Sequence, residues 1–399
     1  MTLVDSVSNP KQTLDRSVLM PITRRPEPVM VRGEGSYLWD DRGRCFLDFV
    51  QGWATNALGH CAPEVRAALN AQAGQLMMAS PAYDNQRELT LARRLVDRSK
   101  LAHVHFSSSG AEANEVALKV ARKWGRIHKG GAFEILTTHD AFHGRTLAAM
   151  AASGKAGWDA LFPPNLPGFR KLPHGDLEAM RSAIDARTVA ILVEPIQGEA
   201  GVVVPPPGYL RGLRELADEH DLLLMFDEIQ TGIGRTGTLF AFESEQALPD
   251  VLTLGKGLGS GVPLSAALVN ARAACLGLGD QGGTYHGNPL MTAVGLAVLD
   301  TVDRPEFLGA VRARGAELGA GLDELVRVHG GSARGRGLLW AYQLTSPIAE
   351  SIRDRCFERC LLVNAARPTV LRFMPSLRVT SSEIASMLAT LRSVLEAAA

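Results

Sequence analysis

From about residue 100 to residue 270 the chain alternates short apolar runs with segments of helical periodicity. The apolar runs cover 101–106, 133–138, 189–195, 222–226, 251–255 and 264–269, and helical spacing of apolar residues covers 111–127 and 207–220. Strands that alternate with helices predict an α/β fold with a mostly parallel sheet covered on both faces. In such sheets ligands bind beyond the carboxyl ends of the strands, so the residues that follow these runs are the candidates for function.

The two ends of the chain differ from this central region. Residues 1–30 are polar and contain several prolines, which predicts an irregular arm, and two short β runs around a turn at Asp41-Arg42-Gly43 follow. After residue 290 the chain is rich in helix, with a short β segment near 336–345 and a last helix over 381–396. We expect a large domain over 51–305 and a smaller α+β domain from both chain ends, 1–50 and 306–399.

Composition excludes several classes of protein. The 42 basic and 42 acidic side chains balance, so no net positive field favours nucleic acid. No apolar run approaches the roughly 18 residues needed to span a bilayer, and the first residues lack the apolar core of a secretory signal. Five scattered cysteines and ten histidines show neither a disulfide framework nor a metal-ligand pattern. We expect a cytoplasmic protein that needs no metal and binds neither nucleic acid nor membrane.

Two segments at predicted strand ends offer groups for binding an anion and a cationic ring. Residues 107–112 follow a strand and begin a helix, whose free N–H groups and positive end attract a phosphate. Serine also caps many helices that bind no ligand, so this segment alone decides nothing. Asp227 ends an apolar strand, where a carboxylate either caps the loop or pairs with a cationic group such as a protonated pyridinium nitrogen.

Lys256 and the segment 140–146 also follow apolar strands. Lys256 is flanked by glycines, and a lysine desolvated there can lose its proton and form a Schiff base, whereas a solvated one would have no such role. Neither serine nor threonine follows this Gly-Lys pair, which excludes a P-loop. Phe142 is suited to stacking on a ring and Arg145 to binding a carboxylate, although the first could equally be a core residue and the second a solvent-facing one. His143 by itself is more typical of a structural histidine.

Two glycine patterns, at 232–237 and 277–282, satisfy the spacing of a dinucleotide-binding loop. Neither joins a strand directly to a helix, so we reject a Rossmann fold for this chain. Forty glycines in one chain produce such matches by chance.

Taken together, these segments resemble the class III aminotransferases, pyridoxal-phosphate enzymes of fold type I. The resemblance extends from about residue 30 to residue 390 and rests on segments in the family's order: SSGAEANEVALKVAR, AFHGRT, VEPIQGEAGV, FDEIQTGIGRTG, LGKGLGSGVPL, GNPL and RFMPSL. Within the family, FHGRTL, EPIQGEAGV and the NALGH turn at 56–60 are most similar to acetylornithine and ornithine aminotransferases.

The resemblance implies how pyridoxal phosphate would be held. Lys256 would bind the cofactor covalently and, once displaced, carry a proton between substrate and cofactor, and Asp227 would keep the pyridine nitrogen protonated. The remaining contacts would place the ring between two apolar side chains, the phenolic oxygen near an amide, and the phosphate in the 109–111 segment. The residues implied are Phe142 and Ile229, Gln230, and Ser109, Gly110 and Ala111, with His143 beside the ring. Thr284 would reach the phosphate from a neighbouring subunit, which implies a homodimer with shared active sites.

The resemblance also implies a substrate site. Arg145 would bind one carboxylate and Arg372 the α-carboxylate of glutamate, while Glu199 would pair with Arg372 when the donor brings a single carboxylate. Trp53 would line the pocket. The implied reaction moves an amino group from N-acetylornithine to 2-oxoglutarate, as in arginine biosynthesis. The alternatives are ornithine, 4-aminobutyrate, a diamine or another ω-amine as donor, and a protein that binds the cofactor without turnover.

Four residues depart from the usual pattern of the family. Ser108 and His286 stand where asparagine and glycine are usual, and Trp340 and Tyr342 replace a smaller, acidic ending. We expect these changes to leave the chemistry intact and to affect the choice of donor.

Overall fold

A computed structural model describes residues 16–398, so the first part of the predicted N-terminal arm lies outside the described residues. The strands are β1 (Met30–Glu34), β2 (Tyr37–Asp40), β3 (Cys45–Asp48), β4 (His103–Ser107), β5 (Glu134–Thr138), β6 (Phe169–Leu172), β7 (Thr188–Val193), β8 (Leu223–Asp227), β9 (Val251–Leu254), β10 (Ser265–Val269), β11 (Ser332–Arg336), β12 (Leu339–Gln343), β13 (Leu361–Leu362), β14 (Asn364–Arg367) and β15 (Val370–Phe373). The helices are α1 (Gln51–Ala54), α2 (Pro63–Ala73), α3 (Gln86–Ser99), α4 (Gly110–His128), α5 (Leu147–Ala152), α6 (Leu177–Ala183), α7 (Tyr209–Glu219), α8 (Pro289–Val302), α9 (Pro305–His329), α10 (Ala349–Glu358) and α11 (Ser381–Glu396).

The central sheet has seven strands in the order β4-β10-β9-β8-β7-β5-β6. Strands β9, β8, β7, β5 and β6 pair in parallel, whereas β10 runs antiparallel to both β9 and β4. The direction in which strands are added reverses along the chain: β5 and β7 lie on one side of β8, whereas β9 and β10 lie on the other. The carboxyl ends of the parallel strands therefore meet at one edge, where an α/β sheet binds its ligand.

The apolar runs of the sequence form strands because this sheet is covered on both faces. Along β8, Leu224 and Phe226 pack into one hydrophobic cluster, while Leu223 and Met225 pack into another. All five residues of β8 are buried, and its first four residues, which lie alternately on the two faces of the sheet, are all apolar. This burial explains why the strands read as continuous runs rather than as an alternating pattern.

Two smaller sheets lie outside the central one. Both ends of the chain meet in the first of them, because β13 pairs in parallel with β3 in the order β1-β2-β3-β13. The second is antiparallel, in the order β11-β12-β15-β14, and β15 carries Arg372. The domain limits stay a prediction. Of the helices in residues 16–398, none has the length and apolarity required to cross a bilayer.

The sequence prediction located the central strands and missed several outer ones. It did not find β1, β6, β11 or β13 to β15, whose residues are largely exposed or half-buried apart from β15. Met30, assigned to the irregular arm, begins β1. The rejected glycine pattern at 232–237 lies in turns after β8 and opens no helix, in agreement with the prediction.

Helix α9 lies against the β11–β12 turn at a glycine contact that provides a stability test. A Cβ at Gly315 would stand 2.1 Å from the carbonyl oxygen of Gly337, a backbone atom that cannot move aside. We expect Gly315→Ala to lower the free energy of unfolding by about 1–3 kcal/mol, as overpacking does. Gly309 lies on the same helix, and its nearest neighbour would be 3.7 Å from a new Cβ. Gly309→Ala should therefore raise that free energy by about 0.5–1 kcal/mol through helix propensity. Urea unfolding measures both, and equal effects would contradict the packing argument.

Candidate active site

A cavity of about 250 Å³ opens at the carboxyl ends of the parallel strands. Its walls come from the start of α4 and from the loops after β5, β7, β8 and β9, which agrees with the ligand site expected of this sheet. Ten of the predicted site residues line it, together with two residues that the sequence analysis did not select. The lining residues are Gly110, Ala111, Phe142, His143, Gly144, Arg145, Glu194, Glu199, Asp227, Ile229, Gln230 and Lys256.

Asp227 is held at the end of β8 by a buried hydrogen-bond network. Its Oδ2 lies 2.8 Å from Nδ1 of His143 and accepts a hydrogen bond of 2.8 Å from Nδ2 of Asn114. Asn114 also donates to the carbonyl of His143 and accepts from the hydroxyl of Thr253 on β9. Since Asp227 is only 3% exposed, these partners are what allow a carboxylate to remain there. A cationic N–H group in the cavity would complete its coordination.

Asn114 is a functional residue that sequence reasoning missed. It lies on the buried face of α4, where a polar residue among Ala113, Val116 and Ala117 needs a partner. A polar residue on an otherwise apolar helix face was the sequence signal that could have identified Asn114. His143 was predicted as a cofactor contact, and the structure places it in the cavity lining with its Nδ1 2.8 Å from Oδ2 of Asp227.

Lys256 follows β9 and has the backbone of a left-handed residue, with φ of 39°. Such a conformation is strained for any residue other than glycine and is tolerated where the surroundings enforce it. The next residues form a short turn in which the N–H of Leu258 bonds to the carbonyl of Gly255 at 2.9 Å. Burial lowers the pKa of Lys256, although Glu199 opposes the shift. The amine is therefore easier to deprotonate than a solvated lysine.

The start of α4 provides an anion seat beside the cavity. Ser109 is the N-cap residue, and its hydroxyl, together with the carboxylate of the capping-box partner Glu112, closes the helix end. The N–H groups of Gly110 and Ala111 precede the first intrahelical hydrogen bond and belong to residues that line the cavity. A Cβ at Gly110 would come within 2.8 Å of the Ile229 side chain, so only glycine allows Ile229 to pack this closely.

Glu194 joins two loops of the site and was not selected from the sequence. Its Oε1 accepts the N–H of Phe142 at 2.9 Å and its Oε2 accepts the N–H of Gly198 at 3.1 Å. Burial raises the pKa of Glu194 to about 7, with His143 opposing and Asp227 adding to the shift. A carboxylate directly after the apolar run of β7 was the signal for it.

The two predicted arginines differ in their surroundings. Arg372 is fully buried, and its Nη1 lies 2.8 Å from Oε1 of Glu199 and 3.3 Å from Oε1 of Gln230. Burial alone would raise the pKa of Glu199, but Arg372 and Lys256 hold it below its usual value. Arg145 is exposed at the cavity wall and has no ion-pair or hydrogen-bond partner among residues 16–398. One cation is thus paired within the protein and the other is available to a ligand.

Four predicted residues lie outside the cavity lining, and Arg372, described above, is one of them. Ser109 is occupied in capping α4, Trp53 is half-exposed on α1, and Thr284 is exposed on the loop before α8. Trp340 and Tyr342 bond to the backbone carbonyls of Gly337 and Gly330, and neither lines the cavity. We therefore assign these two aromatic residues to the packing of the small sheet.

Comparisons with known proteins identify the relatives of this chain. Residues 22–395 match the family model described as aminotransferase class-III. Acetylornithine aminotransferase 2 of Bordetella bronchiseptica is 50% identical over 385 residues, which cover 96% of this chain and 97% of that protein. Acetylornithine aminotransferase of Ralstonia nicotianae is 50% identical over 387 residues, covering 95% and 97%.

Solved structures agree with these sequences. The N-acetylornithine aminotransferase of Stenotrophomonas maltophilia has a TM-score of 0.82 at 36% identity, covering 94% of this chain and 96% of its own. An ornithine aminotransferase of Toxoplasma gondii, described with partial occupancy of PLP at its active site, has a TM-score of 0.90 at 33% identity. The alignment covers 96% of this chain and 93% of the Toxoplasma gondii chain. These matches confirm the predicted fold class and the predicted resemblance.

Glu194 allows a test of how the loops of the site are held. Each of its oxygens accepts a separate backbone N–H, so Glu194→Gln must turn an amide NH₂ toward one of the two donors. We expect pyridoxal phosphate to bind the apoenzyme about tenfold more weakly, because one buried N–H loses its acceptor. Equilibrium titration of the apoenzyme measures the change.

Glu245 provides the matched control for that variant. It is also buried, but a single oxygen accepts the N–H groups of Leu210 and Arg211, at 2.9 and 3.4 Å, away from the cavity. A glutamine can keep both bonds, so Glu245→Gln should bind the cofactor as the parent does. Unchanged affinity in the Glu194 variant would show that this carboxylate does not hold the loops.

Proposed function

The chain belongs to the class-III aminotransferases, and on this premise we propose that it transfers the δ-amino group of N-acetylornithine to 2-oxoglutarate, giving glutamate. Enzymes of this class depend on pyridoxal phosphate, so the protein is a pyridoxal-phosphate enzyme. One observation carries the proposal of substrates. Arg145, which lines the cavity, has no partner among residues 16–398, and a second arginine, Arg372, lies outside the cavity lining, where Glu199 holds it in an ion pair of 2.8 Å.

The residues around the cavity fit the cofactor. When bound, pyridoxal phosphate supplies a protonated ring that withdraws electrons from the substrate carbon that loses a proton. Asp227, with its buried donors, is suited to hold the ring N–H, and the free N–H groups of α4 suit the phosphate. The Nε2 of Gln230 is buried without a hydrogen-bond partner in the described chain, and it can donate to the phenolic oxygen. We place the ring between Phe142 and Ile229.

Lys256 has two tasks in this proposal. Its lowered pKa makes the amine nucleophilic toward the cofactor's carbonyl, which is why a buried lysine suits this position. When it is not bound to the cofactor, the amine would accept the proton from the substrate carbon and pass it to the cofactor. Burial excludes water from this transfer and so prevents loss of the proton to solvent.

The two arginines explain how one site accepts two kinds of substrate. N-acetylornithine carries one carboxylate, which Arg145 can bind, while Glu199 keeps Arg372 neutralised beside the uncharged part of the donor. Glutamate and 2-oxoglutarate carry two carboxylates, and the second can take the place of Glu199 on Arg372. A bias of about 2.8 kcal/mol between these arrangements gives a hundredfold preference. Ornithine is the second candidate donor, supported by the similarity to ornithine aminotransferases.

We also propose that the enzyme is a homodimer with shared active sites, and that it is located in the cytoplasm. Thr284 lies on a loop whose side chains are exposed in the single chain, including Leu278 and Tyr285 at 69% or more. Exposed apolar side chains of this size favour a surface that a partner covers. All five cysteines are free thiols, which supports a reducing compartment.

Single-turnover spectra of the purified holoenzyme test the reaction. We expect loss of the absorbance of the lysine-bound cofactor to be fast with N-acetylornithine and glutamate and slow with ornithine, 4-aminobutyrate and putrescine. Lys256→Ala should fold but lack that absorbance, and so provides the blank. Fast reaction with glutamate and another of these amines, but not with N-acetylornithine, would replace the proposed donor and keep the mechanism.

Arg145→Ala tests the carboxylate contact. Because Arg145 has no partner to release, its loss removes a charge-assisted pair with the substrate, and we expect the KM of N-acetylornithine and 2-oxoglutarate to rise about 10- to 100-fold. Arg66 is likewise exposed and unpaired within residues 16–398, and it lies on α2, so Arg66→Ala is the matched control with unchanged KM. Steady-state kinetics with both substrates decide the matter. Parent-like KM values in Arg145→Ala would refute the contact.

A further inference from the structure

The loop over 277–288, which carries Thr284, is attached to one face of α4. Lys123 forms an ion pair with Asp280, and Nζ of Lys119 donates to Oε1 of Gln281 at 2.6 Å. Glu112 lies opposite His286 on the same loop. Positions 112, 119 and 123 share a face of the helix, since they are seven and eleven residues apart. The helix that provides the anion seat therefore also holds this loop.

His286 is the contact nearest to the anion seat. Its Nε2 lies 3.5 Å from Oε1 of Glu112, and its Nδ1 lies 3.0 Å from Nε2 of His105 on β4. Its side chain is 10% exposed, and the loop packs so closely on the ring that a Cβ at Gly283 would stand 2.4 Å from it. Burial, with a contribution from His286, lowers the pKa of His105 to about 4, so His105 is neutral at neutral pH. The ring of His286 thus bridges a strand and a helix.

The carboxylate opposite His286 also fixes the backbone of the anion seat. The other oxygen of Glu112, Oε2, accepts the N–H of Ser108 at 3.0 Å, the N–H of Ser109 at 2.7 Å and the hydroxyl of Ser109 at 2.9 Å. These groups come directly before Gly110, whose N–H is free. An unbroken set of contacts therefore runs from His286 through Glu112 to the backbone that would receive a phosphate.

We propose that His286 is a positioning residue for the phosphate of the cofactor, holding Glu112 and the 277–288 loop against the first turn of α4. This inference rests on the proposed function, because that function supplies the phosphate. His286 touches neither the cavity nor the reacting groups, so its effect passes through Glu112.

Binding of two cofactor forms to the apoenzyme separates this role from a structural one. His286→Ala should weaken the binding of pyridoxal phosphate about tenfold, the size of a lost hydrogen bond to a charged group, and leave the binding of pyridoxal unchanged. His286→Gln keeps a side-chain N–H that can reach Glu112, and its affinity for pyridoxal phosphate should stay within about threefold of the parent. His286→Leu, which fills the space without an N–H, should behave as the alanine variant and replaces it if the alanine variant does not fold.

His103 provides the matched control, as an exposed histidine on the same strand as His105 with no side-chain partner among the described residues. His103→Ala should bind both forms as the parent does. Parent-like binding of pyridoxal phosphate by His286→Ala and His286→Leu would overturn the proposal, as would an equal loss for pyridoxal. If the parent protein itself binds no pyridoxal phosphate, the proposed function fails and this inference fails with it.

Discussion

The site depends on accommodating one carboxylate at the end of a buried strand, in a sheet that is covered on both faces. Asp227 ends a strand that is buried on both faces, and without donors its charge would be too costly to retain. His143 and Asn114 supply those donors, and Asn114 in turn bonds to Thr253. The network therefore ties the loop after β5 and helix α4 to strands β8 and β9, so the groups around the cavity are fixed relative to each other before any ligand binds.

The other buried charged groups in and around the cavity also have partners that offset the cost of their burial. Arg372 is a buried cation, Lys256 is a half-buried amine of lowered pKa, and Glu199 is the acidic group that both of them face. A ligand carboxylate can replace the acidic partner of such an ion pair with little net change in free energy. The incoming carboxylate takes over the hydrogen bonds that the departing one gives up. Selection between substrates then requires a side-chain movement and no rearrangement of the fold.

The sequence predicted those parts of the structure in which one residue type is required at every position. Strands β7 and β8 are buried on both faces and were recognised as apolar runs, and Asp227 and Lys256 were selected because they end such runs. Strand β14, with the sequence NAAR, is only half-buried, and its pattern resembles that of a loop. Asn114 and Glu194 act through hydrogen bonds to residues distant in sequence, so a local pattern can mark them as unusual but cannot identify their partners. The proposed role of Thr284 requires a second chain, which the pattern of one sequence does not describe.

The backbone of Lys256 has a consequence for how this protein can evolve. A left-handed φ of 39° at a residue with a long side chain costs about 1–3 kcal/mol, and glycine would avoid most of that cost. The position that the chemistry requires to be lysine is thus one where the fold would be more stable with another residue. Stability and turnover are opposed at this single position, and any gain in thermal resistance has to come from elsewhere in the chain.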